Sequence, residues 1–284
     1  MRRNLAIVLT GLALGLASPL AAQVRFELGF GWTLVGPSMN ATYVNQYNPT
    51  LTPPDRYHAS TAAQTVHFKG KTTYGLNGFF NVLFTENFGL QILADYHRPS
   101  LGGSNEPYQV EMQFLAFDDS VETYSRSIDW PNSTGNLTQM AFSLNALARF
   151  RIADTLSLSV SAGPSVFHFE GKAGHIGYTS FNLALVDDVY ELTGGTYSMV
   201  VAFGPQTKYG VNVGVEAAYE AFRHVILAVD LRWYGAPKAS LPLRIVEDEI
   251  ITIPLEEIES TIDLGSLSVN PSYIRAGLAI RFIF

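Results

Sequence analysis

The chain has 284 residues, with 18 basic and 25 acidic side chains, a formal net charge of −7 and no cysteine. The acidic balance argues against a nucleic-acid partner, and the lack of cysteine excludes disulfides and thiol chemistry. Any framework must therefore come from hydrogen bonds and apolar packing.

The first 22 residues have the three parts of a secretory signal peptide. Arg2 and Arg3 precede an apolar run over residues 5–17, and the small residues Ala21 and Ala22 follow. The run is shorter than the roughly 20 residues that a membrane helix needs. We predict a signal peptide over residues 1–22 and one mature domain over residues 23–284. Removing the two arginines leaves 16 basic and 25 acidic side chains, and 16 − 25 gives a mature net charge of −9.

Eight later segments alternate apolar and polar residues with the two-residue period of a β-strand. They cover residues 24–34, 73–85, 90–97, 139–151, 156–166, 208–219, 225–234 and 271–284. Their lengths bracket the roughly 9–11 residues with which a tilted strand crosses a bilayer. We predict an all-β fold, an antiparallel up-and-down transmembrane β-barrel of eight strands.

Charge is confined to one face of these segments. An Arg or Lys that faces lipid at the bilayer midplane costs about 2–4 kcal/mol, so the uncharged apolar face suits a barrel exterior better than a soluble sandwich. We predict that the opposite face points inward and that its charges form a salt-bridged network filling the lumen. The predicted network comprises Arg25, Glu27, Asp95, Arg149, Glu216, Asp230, Arg232, Arg275 and Arg281. The alternative is a narrow pore lined by the same residues.

The connections fall into two length classes. Residues 86–89, 152–155 and 220–224 form short turns, whereas residues 36–72, 98–138, 167–207 and 235–271 form four long loops. Outer-membrane barrels have short periplasmic turns and long extracellular loops, so we place both termini in the periplasm. Residues 178–186 and 196–203 are also strand-like, and ten strands result if both cross the membrane. We favour arms that project above it, joined by residues 187–195.

Aromatic residues on the apolar face mark both ends of the predicted strands. Tyr and Trp prefer the headgroup level of a bilayer because the ring is apolar and its edge is polar. Those at the loop ends are Trp32, Tyr74, Tyr96, Tyr209 and Trp233, and those at the turn ends are Phe26, Phe84, Phe150, Tyr219 and Phe282. Two aromatic belts are therefore predicted.

The last segment carries a polar, glycine, apolar, aromatic series at Arg275, Gly277, Ile280 and Phe282, and Phe284 ends the chain. The series resembles the C-terminal assembly signal of bacterial outer-membrane β-barrel proteins, with a two-residue extension. The resemblance implies an assembly signal at Gly277, Ile280, Phe282 and Phe284 that the barrel-assembly machinery reads. It also implies an outer-membrane location, contact with outer-membrane lipid and lipopolysaccharide, and a monomer.

Candidate chemistry is sparse. Ser165, His168 and Glu170 cluster in sequence as in a lipid-modifying hydrolase, but the alternation puts Ser165 and His168 on opposite faces, so no catalytic residue is predicted. The loops are acidic, and carboxylates bind divalent cations, yet no calcium-loop pattern is present. A solvated acidic surface is favoured, with no metal and no cofactor. The acidic loop residues are Asp187, Asp188, Glu191, Glu247, Asp248, Glu249, Glu256, Glu257, Glu259 and Asp263.

The long loops also contain aromatic residues that suit either contact with a ligand or packing within the loops. They are Tyr43, Tyr47, Tyr57, Tyr108, Tyr124 and Trp130. The favoured function is a non-enzymatic surface protein, structural or adhesive, that binds an extracellular ligand through these loops. The alternatives are a narrow channel or transporter for small or apolar solutes and a lipid A-modifying enzyme.

Overall fold

The computed structural model describes residues 24–48, 56–116, 118–248 and 264–284. For Tyr47, Tyr57, His58 and Asp248 only the backbone is described, and the predicted signal peptide lies outside these ranges. Within these ranges, fifteen strands run over Arg25–Pro37 (β1), Asn40–Tyr47 (β2), Tyr57–Gly70 (β3), Thr73–Leu83 (β4), Phe88–His97 (β5), Ser100–Asn105 (β6), Tyr108–Leu115 (β7), Val121–Ile128 (β8), Thr134–Arg151 (β9), Leu156–Val186 (β10), Val189–Phe222 (β11), Val225–Gly235 (β12), Ala239–Asp248 (β13), Ser266–Val269 (β14) and Tyr273–Ile283 (β15).

Eight of these strands form a closed antiparallel ring in the order β1, β4, β5, β9, β10, β11, β12, β15. β15 pairs again with β1, from Glu27 opposite Ile283 to Pro37 opposite Tyr273, and this pairing closes the barrel. The eight ring strands are the eight predicted segments, so the predicted fold is confirmed. Ring closure also leaves no unpaired edge among them.

The ten-strand alternative is wrong. Residues 178–186 and 196–203 belong to β10 and β11 and pair with each other, with Tyr178 opposite Tyr197. These segments extend two of the ring strands beyond the barrel and do not add two further strands to the ring. The connection is also shorter than expected, because only Asp187 and Asp188 separate the strands, both with positive φ as a two-residue hairpin turn requires.

The predicted face assignment is confirmed by the burial pattern of the ring strands. In β12 and β15 every second residue is buried and the residues between them are exposed. All ten residues of the two predicted aromatic belts are exposed large side chains, from Tyr74 at 83% to Phe84 at 39%. The outer surface of the ring is thus apolar, and the polar phase lies inside.

Both ends of the ring lie beside the short turns. The backbone N–H of Phe284 donates to the carbonyl of Phe26 at 3.0 Å, and that of Ile283 donates to the carbonyl of His224, in the β11–β12 turn, at 3.1 Å. The first and last ring strands therefore begin and end on the turn side, and the long connections are all on the other side.

The described parts of the long connections continue the sheet. β10 has 31 residues, which at about 3.3 Å per residue spans about 100 Å, far more than a bilayer requires. We call the part beyond the ring the cap: β2, β3, β6, β7, β8, β13, β14 and the loop-side halves of β9, β10 and β11. Its interior is a hydrophobic core that includes Tyr43, Val66, Met112, Ile176 and Leu267.

Within the described ranges no helix is long and apolar enough to cross a membrane.

Candidate functional site: the filled lumen and the cap

At the turn end of the lumen, Glu27 is the centre of a cluster of charges. Its two carboxylate oxygens accept two hydrogen bonds from the Arg149 guanidinium, both at 2.7 Å. Arg281 donates to the same carboxylate at 2.9 Å, and Arg25 lies 3.1 Å from it. Glu27 is completely buried, so these cations replace the water that would otherwise solvate its charge.

Arg281 joins this cluster to a second carboxylate and to an aromatic ring. Its guanidinium donates to Glu216 on β11 and lies 5.6 Å from the ring centroid of Phe79. Phe79 points inward from β4, directly opposite Gly29 of β1. A Cβ at Gly29 would lie 2.1 Å from that ring, so glycine is what leaves room for Phe79 in the lumen.

In the middle of the lumen, four amide side chains form a hydrogen-bonded ladder. Asn81 donates to Glu27 at 3.0 Å and accepts from Gln91 at 3.1 Å. Asn145 donates to Gln91 at 3.1 Å, and Asn212 donates to Asn145 at 2.7 Å. Each amide both donates and accepts, which orients the whole chain of groups. The ladder crosses the barrel interior from β4 to β11.

Arg232 connects this ladder to a second charged cluster at the loop end. It donates to Asn212, and to Gln91 at 3.1 Å. Its guanidinium lies 3.8 Å from Asp230, which accepts a hydrogen bond from Arg275 at 2.7 Å. Arg275 also lies 2.9 Å from Asp95. A continuous polar network therefore runs from Glu27 to Asp95.

Aromatic side chains cover the loop end of this network. Tyr234 donates its hydroxyl to Asp95 and stacks on Tyr273, with ring centroids 4.4 Å apart. Phe167 meets both rings edge-on at 6.0 and 6.4 Å, and His97 meets Tyr273 edge-on at 4.4 Å. All four side chains are nearly or completely buried. Above them begins the apolar core of the cap.

The charges inside the lumen are nearly balanced. The turn-end cluster holds Arg25, Arg149 and Arg281 against Glu27 and Glu216, and the loop-end cluster holds two arginines against two aspartates. Removing one partner of such a buried pair lowers the stability strongly, because the other charge is then left buried without a partner or water to solvate it. The arrangement suits a rigid, closed interior.

All nine residues of the predicted charge network lie on the inner face, and each forms at least one of the ion pairs above. Three sets of contacts were not foreseen: the amide ladder, the aromatic cover and Phe79. The one signal for Phe79 in the sequence is Gly29, which lies opposite it in the β1–β4 register and leaves room for its ring. The ladder has no such signal, since any polar residue would satisfy the alternation.

The residues of the predicted assembly signal lie on β15 and at its end. Gly277 points inward, and a Cβ there would lie 2.7 Å from Oδ1 of Asp230. Ile280, Phe282 and Phe284 point outward and are exposed. The position thus combines a glycine that makes room for an ion pair with a row of apolar residues outside.

The candidate hydrolase cluster is divided by the barrel wall. Ser165 is buried in the lumen, where its hydroxyl lies 2.8 Å from that of Ser143 and accepts from Asn212 at 2.9 Å. His168 is half-buried on the outer face, and its Nδ1 lies 3.3 Å from the hydroxyl of Thr207. The two side chains therefore lie on opposite faces, as the alternation predicted, and do not form a pair.

The loop aromatics that the structure describes pack within the cap. Tyr43 and Tyr108 are buried in its core. Trp130 packs on Tyr108 and donates to the carbonyl of His175 at 2.8 Å, and Tyr124 meets Phe181 edge-on. Of the two uses left open by the sequence, packing is the one that these four residues show. The side chains of Tyr47 and Tyr57 lie outside the description.

Most of the acidic loop lies outside the described ranges, namely residues 249–263. Glu247 is described and lies 3.7 Å from Lys172, with both side chains exposed. Over the residues that are described, no three His, Asp or Glu side chains are grouped closely enough to hold a metal ion.

No protein-family model matches this chain, and no curated protein matches it in sequence. Solved structures of outer-membrane proteins are similar to it at low identity. OprG from Pseudomonas aeruginosa is 9% identical, with a TM-score of 0.48, over 92% of this chain and 95% of its own. OmpT, an outer membrane protease from Escherichia coli, is 10% identical, with a TM-score of 0.42, over 95% of this chain and 99% of its own. Ail, the attachment invasion locus protein of Yersinia pestis, is 10% identical, with a TM-score of 0.33, over 91% and 98%. These similarities transfer no activity to this chain.

Proposed function

We propose that this chain is an integral protein of a bacterial outer membrane with a closed lumen and a non-enzymatic surface role, structural or ligand-binding, performed by its cap. One observation carries the proposal. The outer face of the ring is apolar without a charge between the two aromatic belts, whereas every charged side chain of the ring that is nine-tenths buried lies inside. A lipid environment favours this segregation, and water does not.

Export and orientation follow from the same proposal. Residues 1–22 act as the signal peptide, residues 23–284 form the barrel domain, and the C-terminal series is read by the barrel-assembly machinery. The short turns and both barrel termini lie on one side, which we place in the periplasm. The cap then stands outside the cell, where it meets extracellular ligands. The protein acts as a monomer and binds no nucleic acid.

A structural or binding role is favoured over transport because polar groups fill the lumen at three successive levels. The Glu27 cluster, the amide ladder and the Asp95 cluster are joined by hydrogen bonds. The aromatic cover formed by Tyr234 and Tyr273 then separates them from the cap. An eight-stranded barrel is only wide enough for side chains to fill, and here these side chains are bound to one another.

Single-channel recording tests the closed lumen. The refolded protein is added to a planar lipid bilayer, and a general porin added afterwards proves that the membrane registers an open channel. We expect the protein to insert without a defined conductance, because hydrogen-bonded side chains fill the lumen at three levels. A steady, reproducible conductance step would contradict closure and favour the transport alternative.

A further inference from the structure

The outer face of the cap carries a groove next to the barrel rim, and the residues that line it are not part of the polar network in the lumen. It encloses about 850 Å³ over β2, β3 and β6. Lys69 and His67 point outward from the central strand β3. The positions opposite Lys69 and His67 on the flanking strands hold short side chains, which leaves the groove open. They are Asn40, Thr42, Gly102 and Ser104.

Two lysines give the groove its charge. Lys71 follows β3, and its backbone N–H donates to the carbonyl of Ser100 at 2.9 Å, so it lies beside β6. Its side chain extends over Gly102, where a Cβ would meet Cε of Lys71 at 2.9 Å. Across the parts of the chain that the structure describes, no carboxylate lies within 4 Å of Lys69 or Lys71. In a chain of net charge −7, such cations are available to an external anion.

The height of the groove decides which anion it meets. Lys71 lies three residues beyond Tyr74, and Arg98 lies two residues beyond Tyr96, on the loop side of both belt residues. At about 3.3 Å per residue these are distances of about 7–10 Å along the strands. The belt marks the lipid headgroups, so these side chains lie where the phosphates of the outer leaflet are. Lys and Arg near an interface extend their charge toward such phosphates.

Arg98 belongs to the same basic surface. The hydroxyl of Thr73 donates to its carbonyl at 3.3 Å, and its guanidinium donates to the side chain of Asn136 at 3.1 Å. The next cation along the rim, Lys172 opposite Asn136, is already paired with Glu247 at 3.7 Å. His67 likewise lies 3.6 Å from Glu106 at the far end of the groove. Lys172 and His67 are therefore engaged, whereas Lys69, Lys71 and Arg98 have no carboxylate partner among the residues that the structure describes.

We propose that Lys69, Lys71 and Arg98 form a binding site for the phosphorylated headgroup of an outer-leaflet glycolipid, seated in the groove of β2, β3 and β6. The proposal rests on the outer-membrane placement above, because a barrel outside that membrane has no such leaflet beside its rim. The lysines contact the phosphate oxygens, and the short side chains of β2 and β6 admit the sugar. The site gives the cap a fixed contact with the membrane surface.

Binding of fluorescent bis-phosphorylated lipid A to the refolded protein in zwitterionic micelles tests the site by fluorescence anisotropy. A basic residue near an anionic surface contributes about a fivefold change in affinity. We expect Lys71→Ala to weaken binding about fivefold and the Lys69→Ala/Lys71→Ala double change about 25-fold. The double change to arginine should keep binding within about twofold, since the charge is retained. Arg126→Ala, on exposed β8 of the cap, is the matched one-charge control and should leave binding unchanged.

Two further probes identify the ligand. Dephosphorylated lipid A should bind no more tightly to the wild type than to the double alanine variant, and inorganic phosphate alone should not displace the lipid at millimolar concentration. The site would be overturned if the wild type bound dephosphorylated lipid A as tightly as bis-phosphorylated lipid A, if Arg126→Ala lost as much affinity as the double alanine variant, or if inorganic phosphate displaced the lipid. The gel migration of every variant, unboiled and boiled, is recorded in parallel. If the wild type migrates as a folded barrel but binds no lipid A, only this inference fails; if it shows no folded form, the outer-membrane placement fails.

Discussion

Glu27 shows how single residues close the lumen. Its carboxylate contacts Arg25, Arg149 and Arg281, on three different strands. The alternation predicted that all four side chains point inward. It did not predict their pairing, because Glu27 and Arg149 are 122 residues apart and their distance depends on how the strands are staggered around the ring. The local alternation therefore predicts which face of the strand a side chain lies on, whereas its ion-pair partner depends on how the barrel closes.

Replacing Glu27 by alanine tests the weight of this cluster. We expect Glu27→Ala to lower the free energy of unfolding by about 3–5 kcal/mol, because the buried Arg149 and Arg281 and the partly exposed Arg25 lose their shared partner. Urea unfolding of the protein refolded in lipid vesicles measures the change. Glu122→Ala, an exposed acidic residue on β8, is the control and should stay within about 0.5 kcal/mol of the wild type. A similar decrease in the free energy of unfolding in both variants would mean that the Glu27 cluster stabilises the protein no more than an exposed acidic residue does.

Gly277 gives a second test at the same scale. A Cβ at this position would lie 2.7 Å from Oδ1 of Asp230 and 3.0 Å from Cγ2 of Thr33. We expect Gly277→Val to lower the free energy of unfolding by about 1–3 kcal/mol, as overpacked interiors do. The neighbouring change Ala276→Val creates the same side chain on the outer face, adding two carbon atoms where Gly277→Val adds three, and should cost less than about 0.5 kcal/mol. A larger effect of Ala276→Val would reverse the assignment of the two faces.

The β10–β11 hairpin is the element that sequence reasoning described least well. Its ring halves were predicted because they alternate strictly, but residues 187–195, which contain three acidic residues and two glycines, were interpreted as the connection between two strand-like segments. Gly194 has a φ of 110° and pairs with Phe181, and a Cβ there would lie 2.2 Å from the carbonyl oxygen of Ser180. A glycine that normally ends a strand here allows the strand to continue through an irregular conformation.

The hairpin also supports the rest of the cap, which can be tested by shortening it. Replacing residues 180–195 by Asn-Gly joins Thr179 to Thr196, which already lie opposite each other. We expect the ring to stay folded while trypsin cleaves faster after Arg126, because Tyr124 on β8 loses its contact with Phe181. Leu185→Asn, a change at the exposed tip, is the control and should be cleaved at the wild-type rate. Unchanged cleavage in the shortened variant would show that β8 is held by other contacts.

At the scale of the whole molecule, the ring order and the outward apolar face were both available from the sequence, because a two-residue period fixes strand and face together. The extent of the cap was not. Its core residues, such as Val66 and Met112, come from separate connections and show no shared pattern until the sheet brings them together. The barrel can thus be predicted from the alternation within each strand, whereas the cap depends on contacts between distant parts of the chain.

A closed barrel of this kind makes a simple prediction for gel electrophoresis. The refolded protein should migrate faster when it is not boiled, because the ring stays closed and compact in detergent. Leu278→Arg, which places a charge at the middle of the outward face of β15, should reduce the fast-migrating form by weakening the barrel by about 2–4 kcal/mol in lipid. Equal migration with and without boiling, together with recovery from the soluble periplasmic fraction, would contradict the membrane placement.

The bond between Arg281 and Glu27 joins residues 254 positions apart, on the last and first strands of the ring. It forms only when the two ends of the chain meet, and so does the backbone ladder between β1 and β15. Contacts of such high sequence separation slow folding, since the entropy of the intervening chain is lost before they form. The same bond therefore ties completion of the polar interior to closure of the ring: a molecule whose lumen is filled is one whose ends have already met.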